Sequence, residues 1–311
     1  MYHPYFRGKQ FELITIRETA SLMAEAGFTP IIEPVRESLG GLERALTAVS
    51  EAEGRAVVIV NPYHGDHSED GTGISELLQN GYLGSESIGV GILLRQDMSL
   101  ADALACCARH DDHKLTLVHS GFTHGKALAE ALDNGAIERN VFIEGKLTKL
   151  YTRNFKMGQR VLVRDGFNKQ RNRDYQPKEL FSDLHITYEE EGMDGFGDFL
   201  IVGDGYSETG GPAYAIAIHL TFIDPDEDNA MFIYHFVSDR QDTPTDPAGK
   251  FAEALRKLMR KLDSGKSKLV ETSAVKEFRE LHRKGHFPGL GYVKKLSMIH
   301  HIETLASYFE S

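Results

Sequence analysis

The sequence is poor in cysteine and in long apolar stretches, and it has fewer positive than negative side chains. Each shortage argues against a class of protein. Its two cysteines, Cys106 and Cys107, are adjacent in an apparent helix, where a disulfide would be strained, so we expect a reduced, cytoplasmic protein. No apolar run approaches the roughly 20 residues that span a bilayer, and the N-terminus lacks the apolar core of a signal peptide. The formal net charge of −11 argues against a protein that broadly coats nucleic acid or anionic membranes.

Two common catalytic motifs are also absent. The nucleophile pattern G-x-S-x-G does not occur. The segment SGFTHGKALAEAL resembles a phosphate-binding loop, but Gly121 and Gly125 enclose three residues instead of four, and Ala127 follows Lys126 where a hydroxyl is needed. We therefore exclude nucleotide hydrolysis of that class. The start of this helix could still bind a phosphate through its backbone N–H groups, or it could be a plain glycine-rich turn.

What the sequence does contain is a series of eight short apolar runs, each of strand length and rich in Val, Ile, Leu or Phe. Helical stretches separate most of them, a pattern typical of buried parallel strands. Eight such runs predict an α/β protein with a (β/α)8-like, TIM-type barrel. The runs cover residues 28–34, 55–62, 88–97, 115–120, 140–145, 159–166, 197–205 and 213–222.

The second half of the predicted barrel is irregular. A long polar segment, 167–195, separates the sixth and seventh runs, whereas only YSETGGP links the last two. The further run 230–238 follows a turn and predicts an antiparallel hairpin with the eighth run. The rest of the chain is helical. We predict a barrel domain over 1–240 and a C-terminal helical segment over 241–311 that packs on it, as one domain overall.

Polar residues stand near the C-terminal ends of the runs. Active sites of (β/α)8 barrels form at that end, so we expect these side chains to converge on one mouth. Carboxylates and imidazoles there could act as acids and bases or bind a divalent metal. Some of them could instead cap helices, form ion pairs or point away from the mouth. The predicted catalytic residues are Glu33, His119, Glu144 and Asp204, and the predicted substrate-binding residues in this set are Asn61, Arg95, Arg164, Asp165 and His219.

The loop after the second run carries a separate metal prediction. His64, Asp66 and His67 in HGDHSED have residue types and spacing that could bind Zn²⁺ or Mn²⁺. The loop matches the end of the H-x-H-x-D-H pattern of metallo-β-lactamase-fold hydrolases, although Pro62 stands where the first His belongs. A divalent metal is therefore the candidate cofactor. The alternative is a solvated polar loop.

Basic residues suggest an anionic substrate. Arg7 and Lys9 in the opening turn YHPYFRGKQ are predicted substrate-binding residues, together with the strand-end arginines. A basic site would be selective in an acidic protein. The alternative is a set of solvated charges.

Several longer motifs together resemble a known group. They are MYHPYFRGKQFELITIRE, TPIIEPV, VNP, GFGDF, GGPAYAIAIHLT, HFVSD, DPAGKF and HFPGLGY, and they extend over nearly the whole chain. The chain resembles uncharacterised bacterial proteins related to the phage beta-protein family. The resemblance implies a barrel-like fold and a role in phage defence or near mobile elements, alongside a partner protein. It implies no catalytic residues.

Two functions stay open at this point. The first is an enzyme, a phosphodiesterase-like hydrolase of a phosphate-containing substrate such as a nucleotide or a nucleic-acid end. The second is a non-catalytic component that binds a ligand or a partner protein in a phage-defence or mobile-element system. The concentration of ionisable groups of both signs at the predicted mouth favours the enzyme.

Overall fold

The structure, a computed structural model, describes two compact units of one chain. The first unit comprises Met1–Asp165 with Thr187–Phe199, and the second comprises Gly166–Ile186 with Leu200–Ser311. Much of the region 166–240, which the sequence pattern assigned to the barrel, therefore belongs to the second unit. The described residues are 1–132, 135, 137–208, 211 and 213–310.

Each unit has a β-sheet of its own. The strands of the first unit are short and rich in Val, Ile and Leu, residues that pack well on a pleated surface. The strands in chain order are β1 Tyr5–Phe6, β2 Ile31–Ile32, β3 Ala56–Ile59, β4 Ile88–Arg95, β5 Leu115–Ser120, β6 Ile137–Ile143, β7 Gln159–Val163, β8 Lys178–Ser182, β9 Gly195–Gly197, β10 Ala217–Asp224 and β11 Ala230–Val237.

Helices connect most of the strands and form the C-terminal part of the chain. None of the helices in the described ranges is long and apolar enough to cross a membrane. The helices are α1 Gln10–Glu18, α2 Ala20–Glu25, α3 Gly40–Glu51, α4 Thr72–Tyr82, α5 Leu100–Arg109, α6 Gly125–Ala131, α7 Lys149–Thr152, α8 Leu184–Thr187, α9 Pro247–Leu262, α10 Ser273–Lys284 and α11 Leu290–Glu310.

The sheet of the first unit is a closed parallel barrel. Its eight strands pair in the order β1-β2-β3-β4-β5-β6-β7-β9. Backbone hydrogen bonds from His3 N to Phe196 O (2.8 Å) and from Tyr5 N to Asp198 O (2.9 Å) join the last strand to the first. A Cβ at Gly197 would overlap the carbonyl oxygen of His3, so glycine permits this close approach. The predicted (β/α)8-like barrel is confirmed.

Two of the eight predicted barrel strands, the runs 197–205 and 213–222, are wrong. The first barrel strand is β1, inside the segment that the sequence pattern assigned to an opening turn. The run 213–222 instead contributes β10, which pairs antiparallel with β11 across a tight turn, as the hairpin prediction requires. The run 197–205 begins only at the end of β9, and Leu200 has a positive φ of 50° that ends extended geometry. The predicted irregularity of the second half is therefore confirmed.

The second unit packs helices on a three-stranded antiparallel sheet, in the order β10-β11-β8. Alternate residues of β10 and β11 face α9, α10 and α11, whose apolar residues form one buried cluster with them. Helix α9 begins at Pro247, and the side chain of Asp246 caps it by accepting a hydrogen bond from Gly249 N. The predicted C-terminal helices are confirmed.

Candidate active site at the barrel mouth

The C-terminal ends of β1 to β4 bring four predicted polar side chains to the inner side of the barrel. Side chains along a strand alternate between the two faces of the sheet. The core of the barrel contains one inward residue near the end of each of these strands, so the residue two positions further along points inward too. The four core residues are Tyr5, Ile31, Ile59 and Leu93. The polar residues that follow them are Arg7, Glu33, Asn61 and Arg95.

Glu33 is fully buried and accepts hydrogen bonds on both carboxylate oxygens. Its Oε2 accepts from the Tyr5 hydroxyl at 2.9 Å and from the Arg7 guanidinium. Its Oε1 accepts from the backbone N–H groups of Tyr63 at 2.9 Å and His64 at 3.1 Å, and lies 3.1 Å from His64 Nδ1. Burial alone would raise the pKa of Glu33, but the His64 hydrogen bond, the Arg7 charge and the Tyr5 hydrogen bond outweigh it and lower the pKa to about 2. Glu33 is therefore ionised at neutral pH.

The ionised carboxylate fixes the tautomer of His64. A carboxylate without a proton only accepts hydrogen bonds, so the hydrogen of a neutral His64 ring lies on Nδ1. The lone pair is then on Nε2, as in enzymes where a buried carboxylate orients a histidine base. The His64 side chain is 24% exposed, whereas that of Glu33 is fully buried. Solvent therefore reaches the imidazole but not the carboxylate that orients it.

Two glycines position the loop that carries His64. A Cβ at Gly65, which has a φ of +78°, would overlap the carbonyl oxygen of Val35. A Cβ at Gly71 would likewise overlap the carbonyl oxygen of Val60. The loop therefore lies directly against the backbone that follows β2 and β3, at a distance that only glycine allows.

Tyr63 and Arg95 lie beside this pair. The Arg95 guanidinium carbon is 5.2 Å from the centroid of the Tyr63 ring, in a cation–π contact. Arg95 Nε is 3.2 Å from Asp97, which is 67% exposed, and Nε finds no hydrogen-bond partner among the described residues. The Tyr63 ring centroid is 4.8 Å from that of His64. We call Tyr5, Arg7, Glu33, Tyr63, His64 and Arg95 the mouth cluster.

The side chain of Asn61 forms hydrogen bonds with the backbone of the neighbouring strand. Its Nδ2 donates to Leu93 O at 2.9 Å, and its Oδ1 accepts from Leu93 N at 2.8 Å. The side chain thus extends the pairing of β3 with β4 by one residue. The predicted substrate-binding role of Asn61 receives no support from this geometry.

The three predicted metal ligands do not come together. His64 contacts Glu33, Asp66 accepts from Glu37 N at 2.7 Å, and His67 Nε2 lies 3.0 Å from Arg36 O. Within the described part of the chain, no group of three or more His, Cys, Asp or Glu side chains is arranged to hold a metal ion. The metal prediction for this loop is therefore wrong, because each side chain binds the loop to a different part of the backbone or to the carboxylate of Glu33.

His119 lies on the outer side of the barrel. Its neighbour Val118 is an inward core residue, so His119 points the other way. It is fully buried, with Nδ1 2.8 Å from the Tyr151 hydroxyl and Nε2 3.1 Å from Asn140 Oδ1. Burial lowers the pKa of His119 to about 3, against the smaller effect of the Asn140 hydrogen bond. The expectation that His119 points into the mouth is wrong, and this geometry gives no support to its predicted catalytic role.

Glu144 and Arg164 bind each other outside the barrel core. They follow the inward residues Ile143 and Val163 by one position. Both nitrogen donors of the Arg164 fork reach the Glu144 carboxylate at 2.9–3.0 Å. This ion pair gives no support to their predicted roles in catalysis and substrate binding, which stay predictions.

The remaining predicted residues lie elsewhere in the chain, except Lys9, which follows Arg7 by two positions. Lys9 directly precedes α1, and Asp165 ends the first segment of the barrel unit. Asp204 and His219 belong to the second unit, so the barrel strands do not carry them, contrary to prediction. His219 Nδ1 is 2.7 Å from Nδ1 of His235, its partner across the β10–β11 hairpin.

The sequence pattern gave no reason to select Tyr5 or Tyr63. Tyr5 lies two positions before Arg7, in a strand of two residues that is too short for a periodic signal. Tyr63 occupies the position between the end of β3 and His64. Knowledge of the β1 strand and its inward face would have identified Tyr5, because Tyr5 and Arg7 share that face.

Comparisons with known proteins give little further information. No family model matches the chain, and no curated protein matches it. Among solved structures, the chain is similar to a mutant of morphinone reductase in complex with tetrahydroNAD, with a TM-score of 0.40 and 10% sequence identity. The match covers 63% of this chain and 82% of that one. The barrel is established by its strand order and closure, independently of this similarity.

Proposed function

We propose that the barrel is a hydrolase of a phosphate-containing substrate, in which His64 is the general base and Glu33 orients it. The observation that carries this proposal is the contact between the ionised, buried carboxylate of Glu33 and Nδ1 of a partly exposed His64. A base held by a hydrogen-bonded orienting group, at the C-terminal end of barrel strands, is the arrangement that acid–base catalysis requires. The proposal uses His64 as a base and not as a metal ligand, because His64, Asp66 and His67 contact different groups.

The chemistry needs one water molecule and no further reactant. His64 Nε2 takes a proton from the water as the water oxygen forms a bond to phosphorus. The ester P–O bond breaks, and the departing alcohol oxygen takes the proton from the imidazolium. The products are the free alcohol and the phosphate, with His64 again neutral. Glu33 stabilises the imidazolium during the step and stays ionised.

Arg95 supports the choice of an anionic substrate. Its counter-ion Asp97 is 67% exposed, and an ion pair at the surface is weak. A phosphate oxygen would therefore compete well for the guanidinium. Arg7 is buried against Glu33 and serves to position that carboxylate.

The test is turnover of phosphate monoesters and diesters, with p-nitrophenyl phosphate and bis(p-nitrophenyl) phosphate as the first probes. We expect His64→Asn to lower kcat by about 100-fold or more, since general-base catalysis contributes at least that factor. The matched control is His67→Asn, a histidine of the same loop whose Nε2 lies 3.0 Å from Arg36 O and not against Glu33. Equal turnover by the wild type and His64→Asn would reject the role of His64.

One observation favours a second candidate, a non-catalytic ligand-binding module. Both oxygens of Glu33 are already occupied by donors from Tyr5, Arg7, Tyr63 and His64, as expected for a carboxylate whose role is to hold a loop in place. The mouth would then bind a phosphate-containing ligand or a partner protein without turnover. Ligand binding in calorimetry, with no product released from any ester, would support this candidate.

A role in phage defence, alongside a partner protein, accompanies either candidate as a proposal. Its support is the resemblance of the long sequence motifs to the phage beta-protein group. Protection of a host strain from phage by the wild type, and its loss with His64→Asn, would connect that role to the mouth cluster. Equal protection by the wild type and His64→Asn would show that the defence role does not depend on His64.

A further inference from the structure

We propose that Tyr63 and Arg95 form a stacking platform for the base of a nucleoside phosphate. This inference rests on the proposed function, because it names the substrate class of the same site. Tyr63 is 55% exposed, whereas Tyr5, Arg7 and Glu33 in the same cluster are buried. It is thus the aromatic ring that the mouth cluster presents to solvent.

The Tyr63 ring is held in place while it is exposed. Its backbone N–H donates to Glu33 at 2.9 Å, which anchors the residue to the buried carboxylate. The Arg95 guanidinium lies over the ring, and the His64 ring meets it edge-on, with an interplanar angle of 75°. A ring that is ordered before binding loses less entropy when a ligand stacks on it.

The platform combines the two kinds of contact that a nucleotide needs. An aromatic face stacks on any nucleobase, because every base has a π-face. An arginine beside it supplies a charge for the phosphate and can remain stacked on the tyrosine at the same time. Since Tyr63 also touches His64, a phosphate ester next to the platform would lie close to the proposed base. Stacking and charge together select a nucleoside phosphate over inorganic phosphate.

The experiment is calorimetry on the His64→Asn protein, which should bind substrate without turning it over. The probes are adenosine 5′-monophosphate and ribose 5-phosphate, which differ by the base. We expect the nucleotide to bind about tenfold more tightly or better, the effect of one stacked base. Adding Tyr63→Leu should remove this preference, whereas Tyr63→Phe should keep it. The control is Tyr82→Leu, at the end of α4, which should leave the preference unchanged.

Equal affinity for the two probes in a folded protein would overturn the platform, and so would an undiminished preference in the Tyr63→Leu variant. The folded state is checked by thermal unfolding of each variant. Failure of the hydrolase is a separate result: a base preference that depends on Tyr63, with turnover that does not depend on His64, rejects the hydrolase alone. Dependence on His64 without any base preference rejects the platform alone. A 5′-phosphorylated dinucleotide, bound more tightly than the mononucleotide, would identify a nucleic-acid end as the source of the base.

Discussion

Two clusters of the barrel bury an ionisable side chain just after an apolar run, and they treat it in opposite ways. The mouth cluster keeps Glu33 charged, with its pKa lowered to about 2. The outer cluster, which consists of His119, Asn140, Phe142, Tyr151 and Phe155, keeps His119 neutral, with its pKa lowered to about 3. Both side chains are fully buried. Burial alone therefore does not decide which group stays ionised.

The hydrogen-bonding and charged partners of each side chain decide whether it stays ionised. Glu33 receives a guanidinium, a hydroxyl, an imidazole and two backbone N–H groups, which together outweigh the cost of burying a charge. His119 receives one hydroxyl and one amide oxygen, and its ring stacks on Phe142 at 4.8 Å. These neutral partners suit a neutral imidazole. The first environment holds a charged carboxylate inside the barrel, and the second holds a neutral ring.

The largest effect should come from breaking the mouth cluster with Glu33→Gln. The change leaves the buried guanidinium of Arg7 without its counter-ion and sets an amide N–H₂ against donors. Removal of one partner of a buried ion pair costs about 3–5 kcal/mol. We expect that loss in the free energy of unfolding, measured by urea denaturation at neutral pH, together with loss of turnover.

An unfolding free energy within about 1 kcal/mol of the wild type would contradict this view of Glu33. It would mean that Arg7 reaches solvent or another anion when the carboxylate is lost. The double variant Arg7→Leu with Glu33→Gln separates these cases, because it removes the uncompensated charge as well. We expect the double variant to be more stable than Glu33→Gln alone.

A substitution in the outer cluster should lower the unfolding free energy less than Glu33→Gln does, and it should leave turnover unchanged. His119→Phe keeps the ring volume but leaves the Tyr151 hydroxyl and Asn140 Oδ1 without their partner. An unsatisfied buried polar group costs about 1–3 kcal/mol. We expect that decrease in unfolding free energy with turnover unchanged. A tenfold fall in turnover at retained stability would instead assign His119 to the chemistry.

The sequence predicts the barrel well, and the errors have a common cause. Periodic apolar runs identify strands only where they are long enough, and β1 has two residues. The apolar run at 213–222 looks like a barrel strand but lies next to a tight turn, which pairs it with its sequence neighbour. Closure of the barrel by β1 depends on contacts between Tyr2 or His3 and Phe196, far apart in sequence. Such contacts leave no local signal.

The sequence predicts part of the candidate site. Most of the errors arise because alternate residues of a strand face opposite sides of the sheet. The rule that polar residues follow apolar runs selects Glu33 and Arg95, and the basic opening turn selects Arg7. All three share the inner side of the barrel. His119 and Glu144 satisfy the same rule but fall one residue out of phase with it. Since one residue changes the face of the sheet, the rule without an exact register selects inner and outer residues equally. The pairing of Glu33 with His64 depends on a loop geometry that the sequence does not encode locally.

Acid should weaken the outer cluster before it affects the mouth cluster. His119 has an ordinary pKa of 6.5 when unfolded and about 3 when folded, so between these values the unfolded chain binds more protons. Stability therefore falls as the pH falls below about 6.5, by up to about 1.4 kcal/mol per pH unit from this histidine. The stability that Glu33 adds is lost only as the pH falls from about 4.5 towards about 2.

Urea denaturation at pH 7.5, 6.0 and 5.0 tests this order. The difference in unfolding free energy between His119→Phe and the wild type should narrow as the pH falls. The variant lacks one of the buried histidines whose protonation favours the unfolded chain. The buried His300, whose pKa is lowered to about 4, gives the remaining protein its own acid sensitivity, so both curves should still slope. Parallel curves would mean that His119 titrates in the folded protein as it does in the unfolded chain.

The smallest effect should come from Glu144→Gln. The carboxylate is 42% exposed and its partner Arg164 is 23% exposed, and ion pairs of this kind contribute about 0.2–1 kcal/mol. We expect a stability change in that range, reduced further by 0.5 M salt, and turnover within about twofold of the wild type. The variant removes a strand-end carboxylate just as Glu33→Gln does, but on the outer side of the barrel. A tenfold loss of turnover at retained stability would therefore show that the end of β6 contributes to the site and that strand parity does not define its boundary.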